Sequence, residues 1–115
     1  MEDTFFIVRE LQRAGYQVDF ERVETQAAME RALRRSAWDV VITDYQMPSF
    51  DGMSALEVFK ICGMQAPFII VSGMLGEERA AEMLEAGAND YVTKDNLARL
   101  GPAVRRELDM ARRQR

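Results

Sequence analysis

The chain has no histidine. That one absence removes histidine metal sites, Ser-His triads and imidazole acid–base catalysis together. Cysteine is nearly absent too: Cys62 stands alone, so no intrachain disulfide can form and a reducing compartment is expected. No apolar run approaches the ~20 residues needed to span a bilayer. Nor does the N-terminus carry a basic region, an apolar stretch and a small-residue cleavage site in that order. A cytoplasmic location is the resulting expectation. Positive charge is also in short supply, with a net charge of −4. A surface of that sign repels nucleic acid and anionic membranes, so neither is expected as a partner. The basic cluster Arg105, Arg106, Arg112, Arg113 and Arg115 fits a solvated last helix whose arginines complement the negative end of its dipole.

What remains is an ordinary globular composition. The 115 residues are 48% apolar, enough for one domain over 1–115 and too few for two. Helical and extended patterns alternate without a linker. Asp3 to Ala14 carries Ile7, Val8, Leu11 and Ala14 at helical spacing, and Gly15 is a natural stop. Val18-Asp19-Phe20 into Val23 alternates at period two, which predicts a half-buried or edge strand. Thr25 is placed to cap a helix through Arg35, with Ala28, Met29, Ala32 and Leu33 inward. Val40 to Thr43 is a β-branched run ending at Asp44, and its apolar character on both faces suits a central parallel strand. Met47-Pro48 through Asp51-Gly52 reads as a loop. Ser54 with Glu57 three residues on gives a capping-box signal for a helix presenting Ala55, Val58, Phe59 and Cys62.

The second half repeats the alternation. Pro67 introduces a buried-strand run, Phe68 to Val71, ending at Ser72-Gly73. Glu77 to Ala86 reads as a helix with acids at its positive end and Gly87 as its stop. Ala88 to Thr93 holds a last strand ending at Lys94. Pro102 suits the first residue of a final helix, with Ala103, Val104 and Leu108 inward. One helix followed by four strand–helix units implies an α/β fold, a parallel sheet covered by helices on both faces.

In open parallel sheets, ligands bind beyond the carboxyl ends of the strands. Three strands here end in a carboxylate (Asp44), a hydroxyl (Ser72) and an ammonium (Lys94), so all three are expected at one rim. A carboxylate is a competent nucleophile for phosphoryl transfer. A lysine and a hydroxyl can stabilise phosphoryl oxygens by charge and by hydrogen bonding. Taken singly, each has a plainer explanation: a turn-forming Asp, a loop Ser before Gly, a solvated Lys.

The segment Asp39 to Gly52, containing Val40-Val41-Ile42-Thr43-Asp44 and Met47-Pro48, resembles the phosphoacceptor strand and loop of response-regulator receiver domains, as in the chemotaxis regulator. Phe68 to Gly73 resembles that family's hydroxyl-bearing strand. Ala86 to Lys94 resembles the segment with the switch aromatic and the active-site lysine. The three matches occur in order and at suitable spacing over nearly the whole chain. The resemblance implies a doubly wound, flavodoxin-like parallel sheet and a switch in a two-component system rather than an enzyme. It implies that Asp44 takes a phosphoryl group from a histidine kinase or phosphotransfer protein. Lys94 and Ser72 would bind that group, and Ser72 and Tyr91 would switch a partner-binding face. Taken alone, Tyr91 is a partly buried aromatic with its hydroxyl in water. Mg²⁺ is the family's metal, and Asp44 and the Gln46 backbone carbonyl would be ligands.

The sequence departs from the family in two places. Receivers begin with a strand ending in two adjacent acids that help to hold Mg²⁺. Here Glu2-Asp3 directly precedes a helical pattern and reads as first-turn acid. The chain is therefore expected to be N-terminally truncated, with four recognisable strands and five helices, and to bind Mg²⁺ weakly or not at all. Loss of a central strand exposes backbone groups, so a homodimer or other self-association is expected. Secondly, Asp95 follows Lys94 where the family usually has proline, and a trans bond is expected there. An alternative reading from another class is a degenerate receiver acting as a phosphorylation-independent interaction or dimerisation module. A nucleotide- or flavin-binding enzyme fares poorly, because no strand is followed by a Gly-rich phosphate loop. Nothing resembles an output domain.

Overall fold

In the computed structural model, residues 3–44, 51–63, 65–73 and 77–113 are described. Their elements are α1 (Asp3–Arg13), α2 (Gln26–Arg35), β1 (Val41–Asp44), α3 (Gly52–Cys62), β2 (Phe68–Ser72), α4 (Glu77–Ala86), β3 (Asp90–Thr93), a 3₁₀ helix (Lys94–Arg99) and α5 (Leu100–Arg113). The strands form one parallel sheet in the order β1-β2-β3. Helices cover both of its faces, as the alternation of patterns requires.

β2 explains the layering. All five of its residues are buried, which identifies a central strand covered on both sides. Successive side chains point to opposite faces. Phe68 and Ile70 join Met29, Leu33, Leu56, Phe59 and Met83 in one cluster. Ile69 and Val71 join Leu11, Val92, Leu100 and Val104 in the other. One layer is therefore α2, α3 and α4, and the other is α1 and α5. Each large apolar side chain withdrawn from water contributes about 1.5–3 kcal/mol before chain entropy is charged against it. Within the first layer the Phe59 and Phe68 rings lie 5.1 Å apart in a tilted arrangement.

Local chemistry sets the helix ends. Thr25 caps α2 as its sequence position predicts, accepting the Ala28 N–H at 3.1 Å. α3 starts differently from the Ser54–Glu57 prediction: Asp51 is the cap, and its Oδ1 accepts from the Ser54 N–H at 2.9 Å. Ser54 is thus the donor in the first turn rather than the cap, and Gly52 belongs to the helix rather than the loop. Gly63, at φ 71°, ends α3 in the left-handed region where glycine carries no Cβ penalty. The final helix starts at Leu100, so Pro102 is its third residue, still within the turn whose N–H groups need no helical acceptor.

The predicted strand over Val18–Val23 does not form, and the described sheet has three strands rather than four. Val18 packs against the α1/α5 cluster and Val23 against the other. The alternation placed side chains correctly, but a strand also needs a hydrogen-bonded neighbour, and β1 pairs only with β2 among the described residues. β3 is shorter than predicted, beginning at Asp90. Asn89 instead clamps the strand entrance: its Oδ1 accepts the Phe68 N–H at 2.7 Å, and its own N–H donates to the Phe68 carbonyl at 2.8 Å.

Candidate functional site

The parallel register aligns the strand ends. Asp44 lies opposite Val71, and Ser72 opposite Thr93, so the residues that end or follow the three strands gather at one rim. Two of the three predicted groups touch. Lys94 Nζ donates to Asp44 Oδ2 at 2.8 Å, with the side chains 31% and 26% exposed respectively. That degree of burial keeps the pair accessible while lowering the local dielectric below that of water.

Ser72 lies in the same rim but joins no pair. It is fully buried, and its Oγ finds no hydrogen-bond partner among the described residues. An orphaned buried hydroxyl costs about 1–3 kcal/mol. Such a group marks a position where a further oxygen is wanted. Gly73 follows with the Lys94 Cδ 3.9 Å from where its Cβ would stand, so the lysine stem runs beside the end of β2.

Tyr91 is half-buried and packs against the α2/α3/α4 cluster. Its backbone is held by groups that hydrophobic patterning passes over. Arg99 donates to both carboxylate oxygens of Asp90, at 3.1 and 3.4 Å, and to the Tyr91 carbonyl. The signal available for Arg99 was its place in a polar tract eight residues beyond Tyr91, which patterning treats as solvated. The 3₁₀ helix that carries Lys94 and Arg99 is kinked at Asn96. No cis peptide occurs among the described residues, so the bond after Lys94 is trans, as expected.

Mg²⁺ at the rim would need a set of hard oxygen ligands. No group of three or more His, Cys, Asp or Glu that could hold a metal exists among the described residues. Asp44 supplies one carboxylate there. Gln46, Glu2 and the Asp3 side chain lie outside the described residues. A hard divalent cation takes six or more oxygens and is held tightly only with several charged ones. The described donors do not fit a strong magnesium site.

The rim thus holds a carboxylate–ammonium pair and a buried hydroxyl without a partner among the described residues, at the carboxyl ends of a parallel sheet covered on both faces. A family model described as the response regulator receiver domain matches residues 4–105, and the chain belongs to that family. It is 29% identical over 107 residues to the virulence transcriptional regulatory protein PhoP of Salmonella typhimurium, and equally to the transcriptional regulatory protein PhoP of Escherichia coli. Those alignments cover 89% of this chain and 47% of each relative, so the chain spans about half their length. Among solved structures it is similar to the signal receiver domain of a LuxO repressor protein from Vibrio parahaemolyticus. There the TM-score is 0.85 and the identity 22%, with 98% of this chain and 86% of that one covered. The receiver domain of a sensor histidine kinase from Pseudomonas aeruginosa, which has a magnesium ion coordinated in its active-site cleft, gives a TM-score of 0.72 at 24% identity. That match covers 93% of this chain and 88% of the other. These likenesses give the flavodoxin-like receiver fold. No helix among the described residues is long and apolar enough to cross a membrane.

Proposed function

We propose that the chain, as one receiver unit over 1–115, is the phosphoacceptor of a two-component pathway. Asp44 takes the phosphoryl group from a phosphohistidine on a histidine kinase or phosphotransfer protein in the cytoplasm. A carboxylate oxygen of Asp44 attacks phosphorus, the P–N bond breaks, and the departing imidazole nitrogen takes up a proton. The observation that carries this reading is the Lys94–Asp44 contact of 2.8 Å beside the orphaned Ser72 hydroxyl. The ammonium is in place to neutralise phosphoryl oxygens, and the hydroxyl has a hydrogen bond to donate. Donation by Ser72 would draw the end of β2 toward the acyl phosphate, and Tyr91, on the neighbouring strand, would follow by changing rotamer. The output is then a changed partner-binding face, so the unit acts as a switch and not as an enzyme. Mg²⁺ binding is weak in this reading, because the described rim offers one carboxylate.

One observation favours the second reading, a degenerate receiver working as a phosphorylation-independent interaction or dimerisation module. It is that same shortage of acidic ligands among the described residues. The outer edge of β1, which pairs with no strand among the described residues, points the same way, since an unpaired edge is a template for another chain. Self-association is expected on this ground, and a monodisperse monomer in light scattering rejects it.

The deciding experiment is intact mass spectrometry after incubation with acetyl phosphate, with and without Mg²⁺, alongside Asp44→Asn. One added phosphoryl group that the variant lacks supports the switch. No added mass under either condition supports the interaction module.

A further inference from the structure

Away from the rim, α5 presents a second patterned face. Arg105, Arg106, Asp109, Met110 and Arg113 recur at the three- and four-residue spacing that aligns side chains on one stripe of a helix. This stripe is distinct from the one that buries Leu100, Ala103 and Val104 in the core. With Glu10 and Arg13 from the last turns of α1, it lines an open groove of about 660 Å³. The two helices are close at its head, where a Cβ on Gly101 would stand 2.9 Å from the Ala14 Cβ.

The groove's charge runs against that of the chain. Four arginines (Arg13, Arg105, Arg106, Arg113) face two carboxylates (Glu10, Asp109), on a protein of net charge −4. Dipole complementation accounts for arginines in a last turn, namely Arg13, Arg112 and Arg113. It does not account for Arg105 and Arg106, which lie near the middle of α5. Arg105 is committed to structure, donating to the Ala14 carbonyl. Arg13 and Arg106 approach Glu10 and Glu107 at 3.5 and 3.6 Å but still keep 59% and 68% of their side chains exposed toward the groove. Met110 is 41% exposed in the same stripe, an apolar surface set among cations.

We infer that this groove docks a short acidic polypeptide segment of a partner protein. The carboxylates of the segment meet Arg13, Arg106 and Arg113, and one apolar side chain packs on Met110. Nucleic acid fits less well. Its backbone is uniformly anionic, whereas Glu10 and Asp109 interrupt the arginines and would face its phosphates. A peptide can place neutral residues opposite those two acids and carboxylates between them.

Fluorescence anisotropy on the full chain tests this. The probes are a fluorescein-labelled poly-Glu peptide with one central Leu, its poly-Lys counterpart, and a labelled DNA duplex. The Glu peptide is expected to bind, with affinity falling as salt rises because the contacts are exposed. Arg106→Glu with Arg113→Glu should weaken it by about tenfold or more. The neutral pair Arg106→Gln with Arg113→Gln should weaken it less, in the same order. Arg106 also faces the buried Glu107 carboxylate at 3.6 Å, so a circular dichroism melt is taken for each variant, and the neutral pair decides the test if the Glu pair melts lower. Binding that is insensitive to both pairs overturns the proposal, as does no binding of the Glu peptide at low salt. Tighter binding of the duplex than of the Glu peptide also overturns it, by assigning the groove to a polyphosphate backbone.

Discussion

Lys94 Nζ sits 2.8 Å from Asp44 Oδ2, although 50 residues of chain separate them. The contact joins the end of β1 to the first residue after β3 across the intervening β2. A partly exposed ion pair of this kind contributes little to stability, about 0–1 kcal/mol. Under the proposed function its larger consequence is chemical, because the ammonium lies beside the carboxylate that would carry the phosphoryl group. Lys94→Ala should therefore shift the urea midpoint only slightly. The rate of Asp44 phosphorylation by acetyl phosphate should fall on the order of a hundredfold, read by intact mass against time. An unchanged rate would remove Lys94 from the reaction.

Ser72→Ala tests the orphaned hydroxyl from the opposite direction. Most buried-residue substitutions destabilise, but this one deletes a polar atom that has no partner among the described residues. Denaturant unfolding of the unphosphorylated chain should show the variant equally stable, or more stable by up to about 1 kcal/mol. If phosphorylation supplies the missing acceptor, the wild-type chain should gain stability on modification and Ser72→Ala should gain less. A clear loss of stability in the unmodified variant would mean that the hydroxyl has a partner after all.

How much of this was legible before the fold was known depended on whether local pattern sufficed. β2 was, because a run apolar on both faces, Phe68 to Val71, fits only a covered strand. Thr25 was, because capping is decided within four residues. The rim residues Asp44, Ser72 and Lys94 could be placed together because each directly ends or follows an apolar run. Val18–Val23 was misread because pairing is non-local: alternation specifies two faces without specifying a neighbour. The α3 cap was misread because both Ser54 and Asp51 carry cap chemistry, and only the backbone path shows which carboxylate or hydroxyl meets an N–H. The α5 stripe was half visible. Ala103 and Val104 are buried as predicted, Leu108 is only partly so, and Glu107 is buried at 5% exposure with Arg106 Nε 3.6 Å from its carboxylate. Amphipathic patterning assigns a carboxylate to the outside and so could not find it.

The Asp51 cap carries a pH signature. The Ser54 N–H donating to its carboxylate holds the pKa below the ordinary 3.8, against a smaller opposing effect of burial. A folded-state pKa below the unfolded one means that the stabilisation is fully present above about pH 4. It is lost as pH falls through the lower folded value. Asp51→Ala should cost about 1 kcal/mol at neutral pH. The gap between variant and wild type should then narrow as the solution is acidified below pH 4. Asp51→Asn should keep most of the cap and lose that acid dependence. Thermal melts over an acid series would show both, and a gap that stays constant would exclude the carboxylate as the source.

Gly101 brings α5 against the end of α1, and its replacement sets two effects of known sign against each other. Alanine in a helix is favoured over glycine by about 1 kcal/mol. Here, however, the new methyl would fall 2.9 Å from the Ala14 Cβ and 3.5 Å from the Glu10 carbonyl oxygen. Neither is the end of a flexible side chain that can swing away, so the helices must separate, and overpacking of this kind costs about 1–3 kcal/mol. Gly101→Ala should accordingly destabilise despite its better helix propensity. Removing the opposing methyl relieves the clash directly, so Ala14→Gly should be mildly destabilising alone and compensating in the double variant. A double-mutant cycle in urea should give a favourable coupling of about 1 kcal/mol or more. Strict additivity would show that α1 and α5 do not meet at this point.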